Sequence, residues 1–159
     1  MDLCCMPIKR IAPDTRGSER RVAIVMSRFN GDVGEGLLAG ALRALADAGV
    51  EERYIRVATV PGALEAPLAL QRFAQSGEYD ALIALGAVIR GETYHFDIVA
   101  NESAAGVASV QLEFGIPIGN AILTTDTEEQ ARARAEGKGH DAALAALEMA
   151  NALDAIDEE

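Results

Sequence analysis

The residues best suited to chemistry gather between Arg90 and Asp97, where Arg90, Glu92, Thr93, Tyr94, His95 and Asp97 follow one another with Gly91 among them. An imidazole takes up and releases protons near neutral pH, so His95 suits general acid–base work. The neighbouring hydroxyl and guanidinium suit an anion, and Gly91 lets backbone approach a ligand closely. The plainer alternatives are a structural histidine and a local Arg90–Glu92 ion pair. His140 starts a helical segment and reads as a surface residue. Three other polar clusters could complete a site: Ser27–Gly31, Pro61–Glu65 and Thr124–Thr127. Phe29 either folds back onto the core or stacks on a planar ligand. Glu65 either sits favourably at a helix start or accepts hydrogen bonds from a polyol. Arg132 and Arg134 fall on an exposed helical face, and a phosphate would need only one of them.

These clusters need a scaffold that brings them to one place. The run Ala81-Leu82-Ile83-Ala84-Leu85 is short, apolar and without a helical polar face, as a strand buried in a parallel sheet should be. It breaks at Gly86 into the chemical loop, Ala87–Asp97. Strands are likewise expected over 21–26, 54–60 and 116–123, the last weakened by Gly119. Helical spacing predicts helices over 33–48, 65–75, 98–114, 128–135 and 140–153, with Gly137-Lys138-Gly139 separating the last two and a frayed acidic tail from Asp154 to Glu159. Residues 1–20 carry no period and are expected to form a flexible N-terminal arm, leaving 21–159 as a single domain. Strand and helix alternating four times specify an α/β fold, a three-layer sandwich around a parallel sheet. All four polar clusters then leave the C-terminal edge of that sheet, where such folds bind ligands.

Composition removes several classes of function. A net charge of -11 disfavours nucleic acid and anionic membrane as partners. The two cysteines, Cys4 and Cys5, are adjacent and fit incidental thiols of a reducing cytosol. No apolar stretch approaches the roughly 18–20 residues of a membrane span, so a cytoplasmic protein is expected. The sequence carries no metal-ligand spacing, phosphate-binding glycine loop or Ser-His-Asp order, and neither a metal nor a cofactor is expected.

Residues from about 21 to 153 resemble the lumazine synthase family. The matching segments are Ser27–Asn30, Val60–Pro67, Gly86–Asp97, Ile122–Asp126 and Ala145–Asn151, of which Gly86–Asp97 is the most specific. The resemblance implies a flavodoxin-like sandwich with a four-stranded parallel sheet in order 2-1-3-4. It implies condensation of 5-amino-6-(D-ribitylamino)uracil with 3,4-dihydroxy-2-butanone 4-phosphate in riboflavin biosynthesis. By motif position, Phe29 should stack on the pyrimidine, Ala63, Leu64 and Glu65 should hold the ribityl chain, and Ala87, Val88 and Ile89 should line the ring pocket. Glu92 and Thr93 should present donors to the phosphate, Arg134 should be its charged partner, and His95 should transfer protons. Asn120 and Arg134 should come from a neighbouring subunit of a pentamer, or of an assembly of pentamers, with riboflavin synthase a candidate partner. Leu64 and Asn120 stand where many members carry aromatic residues, which implies a less aromatic pocket wall. A non-catalytic flavin or lumazine carrier would need no proton transfer. A flavodoxin-like electron carrier would need a Ser/Thr-rich phosphate cradle, which Ser27–Gly31 does not provide.

Overall fold

The computed structural model describes residues 7–159; Cys4 and Cys5 lie outside them. Four parallel strands, β1 (Val22–Ser27), β2 (Ile55–Val60), β3 (Ala81–Ile89) and β4 (Ile118–Thr125), form one sheet in the order β2-β1-β3-β4. Between and after them run α1 (Gly31–Asp47), α2 (Ala66–Ser76), α3 (His95–Phe114) and α4 (Glu128–Asp157). The alternating faces of the strands feed two cores. Val22, Ile24 and Met26 pack with α1 and α4, while Ala23 and Val25 pack with α2 and α3. This is the expected three-layer, flavodoxin-like sandwich, with the two central strands, β1 and β3, buried on both faces.

Three expectations change. β3 does not stop before Gly86 but runs on to Ile89, because β4 continues to pair with it, Gly86 opposite Ile122 and Ile89 opposite Thr125. Pairing with β1, by contrast, ends at Leu85. Gly86 is a packing residue: a Cβ there would lie 2.7 Å from the Ser27 hydroxyl. The loop expected over 87–97 therefore shrinks to Arg90–Tyr94, and α3 begins at His95 rather than Ile98. Lastly, Gly137-Lys138-Gly139 interrupts nothing, and α4 is one helix of 30 residues that carries on to Asp157, through most of the tail expected to fray from Asp154. Its start is fixed by Thr127, whose hydroxyl accepts from the Gln130 amide while the Gln130 side chain accepts from the Thr127 amide.

Residues 14–20 are tied to the helices behind the sheet. The Gly17 amide donates to the Ala48 carbonyl at 2.8 Å, and the Asn151 side chain donates to the carbonyls of Asp14 and Arg16 at 2.8 and 2.9 Å. Among the described residues, no helix is long and apolar enough to cross a membrane.

Candidate functional site

Strand order reverses between β1 and β3: the chain passes from β1 to β2 on one side, then returns to place β3 on the other. Loops leaving the C-terminal ends of β1 and β3 part at this switch point and open a crevice. A cavity of about 420 Å³ lies there, lined by residues of three of the four expected clusters. Phe29 and Asn30 come from the β1–α1 loop, Ala63–Glu65 from the 3-10 turn before α2, and Ala87–Ile89 from the end of β3. His95 and Val99 close it from the first turns of α3.

Backbone bonds lace these elements together. The Arg28 amide donates to the Val60 carbonyl at 2.8 Å, and the Phe29 amide to Pro61 at 3.2 Å. Asn30 takes a left-handed backbone, with φ of 58°, and makes no side-chain cap to α1. Its side-chain amide instead reaches the Ala87 carbonyl at 3.4 Å. Gly62 is needed for close approach: a Cβ would lie 2.8 Å from Phe29 Cδ2 and 3.2 Å from a Glu65 carboxylate oxygen. The Phe29 ring does not fold back into the core, being 68% exposed at the cavity mouth.

Glu92 and Thr93 lie in the exposed loop that runs into α3, and the Thr93 hydroxyl accepts from the His95 backbone amide at 3.4 Å. The N-terminal end of a helix favours an anion, although at α3 the His95 amide is given to Thr93 and the Asp97 amide to the Tyr94 carbonyl. Arg90 does not pair with Glu92. Its Nε donates to Asp126 at 2.8 Å, at the turn between β4 and α4.

Asn120 and Arg134 are not brought to the cavity of their own chain. Asn120 is exposed on β4, its side-chain oxygen accepting from the Ile122 amide at 2.9 Å. Arg134 lines a separate polar cavity of about 400 Å³, together with Arg90, Thr124, Thr125, Asp126 and Gln130. Arg132 is held by Glu128 at 2.7 Å and Asp32 at 3.5 Å. Among the described residues Arg134 makes no ion pair, so of these two arginines it is the one with its charge still available.

Residues 19–154 match the family model for 6,7-dimethyl-8-ribityllumazine synthase. The chain belongs to that family. A 6,7-dimethyl-8-ribityllumazine synthase of Azoarcus sp. (strain BH72) is 58% identical over 146 residues, 92% of this chain and 94% of its own. One from Methylobacillus flagellatus is 56% identical over 146 residues, 92% of this chain and 98% of its own. A third, from Nitrosomonas europaea, is 56% identical over 151 residues, or 95% and 92% of the two chains. In this lumazine synthase-family chain, two cavity residues escape a reading by residue type. Val99 looks like an ordinary core position, although it stands one helical turn beyond His95 on the same face. Asn30 looks like a helix cap, and only its left-handed backbone turns the amide toward β3.

Proposed function

We propose that the chain condenses 5-amino-6-(D-ribitylamino)uracil with 3,4-dihydroxy-2-butanone 4-phosphate, the reaction implied by its family name. The observation that carries this reading is the switch-point cavity. It combines an apolar wall, Ala87–Ile89, with an exposed ring, a carboxylate and an imidazole in Phe29, Glu65 and His95. Phe29 stacks on the pyrimidine against Val88 and Ile89, and Ala63, Leu64 and Glu65 hold the ribityl chain. Glu92 and Thr93, at the head of α3, present backbone and hydroxyl donors to the phosphate.

The reaction forms an imine from an amine and a ketone, expels phosphate, and closes a ring. One water leaves at imine formation and a second at ring closure. Each step moves a proton, which is the work proposed for His95, at about 10²- to 10⁴-fold in rate. Holding two reactants in contact and supporting the departing phosphate accounts for the remaining acceleration.

The cavity wall contains a carboxylate and an imidazole but no arginine. A phosphate ester calls for a charged partner. This gap supports a shared site, in which Asn120 and Arg134 of a neighbouring copy complete the pocket within a homopentamer or an assembly of pentamers. We further propose a cytoplasmic enzyme whose product is passed on to riboflavin synthase. Purified protein given both substrates should produce a fluorescent lumazine, and solution mass should be that of a pentamer or a multiple of it. Tight flavin binding without turnover would replace the enzyme with a carrier.

A further inference from the structure

Arg90 stands one residue past β3 and holds three parts of the structure at once. Its amide donates to the Thr125 carbonyl at 2.8 Å, extending the β3–β4 ladder beyond the strand end. Its Nε donates to Asp126 at 2.8 Å. Its guanidinium carbon lies 4.4 Å from the ring centroid of Phe96, the residue after His95 in the first turn of α3. Asp126 is itself fixed, because its amide donates to Gln130 Oε1 at 3.0 Å within the cap of α4. One side chain therefore links the start of α3 to the start of α4.

The start of α3 has little else to fix it. Its N-cap, Tyr94, makes no side-chain cap, and residues 90–95 are all exposed. Among the described residues, no side chain hydrogen-bonds the His95 imidazole; the bond at that residue is the one its backbone amide donates to the Thr93 hydroxyl. The position of the imidazole over the cavity thus follows from where the first turn of α3 rests.

We infer that Arg90 is a positioning residue for proton transfer: clamped by Asp126, its guanidinium seats Phe96 and so sets the His95 imidazole over the switch-point cavity. The inference rests on the reading of His95 as the proton-transfer residue. An exposed ion pair and a cation–π contact at the surface contribute little to stability. Chemistry is far more sensitive to position, since a misplacement of about 1 Å can cost on the order of 100-fold. The brace should therefore register in turnover much more than in unfolding. Lysine cannot replace it, because a point-like ammonium does not stack on Phe96 and bond Asp126 in one planar geometry.

The test is a double-mutant cycle on the assembled enzyme, following kcat and KM for both substrates. Arg90→Lys and Phe96→Leu should each lower kcat about tenfold or more with smaller changes in KM, and Phe96→Tyr should keep the wild-type rate. In the His95→Ala background, Arg90→Lys should slow turnover no further, because the group that it positions is gone. An Arg90→Lys loss of equal size with and without His95 would overturn the inference, as would a wild-type rate in both Arg90→Lys and Phe96→Leu. If Arg90→Lys fails to assemble, Phe96→Leu, which keeps the Arg90–Asp126 pair, reads the same coupling. An unchanged rate in His95→Ala alone would remove the proton-transfer reading itself, and this inference with it.

Discussion

Gly139 of α4 packs its bare α-carbon against the Leu37 carbonyl of α1, and a Cβ at that position would overlap the carbonyl. Gly40 of α1 does the same against Glu136 of α4, so the two helices approach backbone to backbone at both places. Glycine inside a helix costs about 1 kcal/mol relative to alanine, and here the close packing of α1 on α4 outweighs that cost. Gly139→Ala should therefore destabilise the fold by about 2 kcal/mol or more, the usual scale of overpacking. Gly137, two residues earlier in the same helix, is exposed, and a Cβ there would meet nothing within 4 Å. Gly137→Ala should stabilise by up to about 1 kcal/mol. Urea unfolding of the two variants gives opposite signs if the glycines are used in this way.

These glycines also explain where a reading by residue type runs out. Propensity sees Gly137 and Gly139 as an interruption and Gly86 as the end of a strand. What the glycine does in each place depends on a neighbour distant in sequence: Leu37 for Gly139, and Ser27 and Ile122 for Gly86. The strands and most helices are legible because their apolar periods are local properties. The first turn of α3 is hidden because its apolar spacing begins at Ile98, after the more polar His95 and Asp97. Within the site, some residues of each of three loop motifs line one cavity, since each motif ends a strand of the same parallel sheet, whereas Glu92 and Thr93 do not line it. The partner of Arg90 is not legible in the same way: Glu92 is near in sequence, whereas Asp126 is near only once β4 pairs with β3.

Asp14 gives a titration test of the segment that leads into β1. Its carboxyl accepts from the Arg16 side chain and backbone, which hold its pKa down to about 2 from an ordinary 3.8. A carboxyl depressed in the folded state stabilises above its unfolded pKa, and that contribution is lost as pH falls through the folded one. The Asp14–Arg16 turn should thus stay formed down to pH 3.8 and loosen toward pH 2. The Asp14 carboxyl resonance should titrate with a midpoint near 2. A midpoint at 3.8 would mean that the turn does not persist in solution.

Phe29 offers a clean separation of binding from folding. Its ring is 68% exposed, so truncation removes little from the core. Stacking of an aromatic side chain on a planar base is worth about 1–3 kcal/mol, or roughly 5- to 150-fold in affinity. Phe29→Ala should raise KM for the pyrimidine substrate within that range and leave KM for the butanone phosphate nearly unchanged. Its melting temperature should stay close to that of the wild type. Equal rises for both substrates would point to a disturbed loop rather than a lost stack.

His95 and Arg134 line different cavities of one chain, which makes the proposed sharing of the site testable by complementation. His95→Ala alone should slow turnover at least about tenfold through loss of acid–base help. Arg134→Ala should do so through loss of a charge-assisted bond to phosphate, which appears mainly as a higher KM for the butanone phosphate. In a cyclic, head-to-tail assembly each pocket takes His95 from one copy and Arg134 from the next. Co-expressed in equal amounts and assembled together, the two variants should then regain wild-type pockets at about a quarter of the sites. Separately assembled and mixed without subunit exchange, they should regain none. If His95 and Arg134 serve a pocket within a single chain, no pairing of the two variants can rebuild it, and the co-assembled sample stays as slow as its parents.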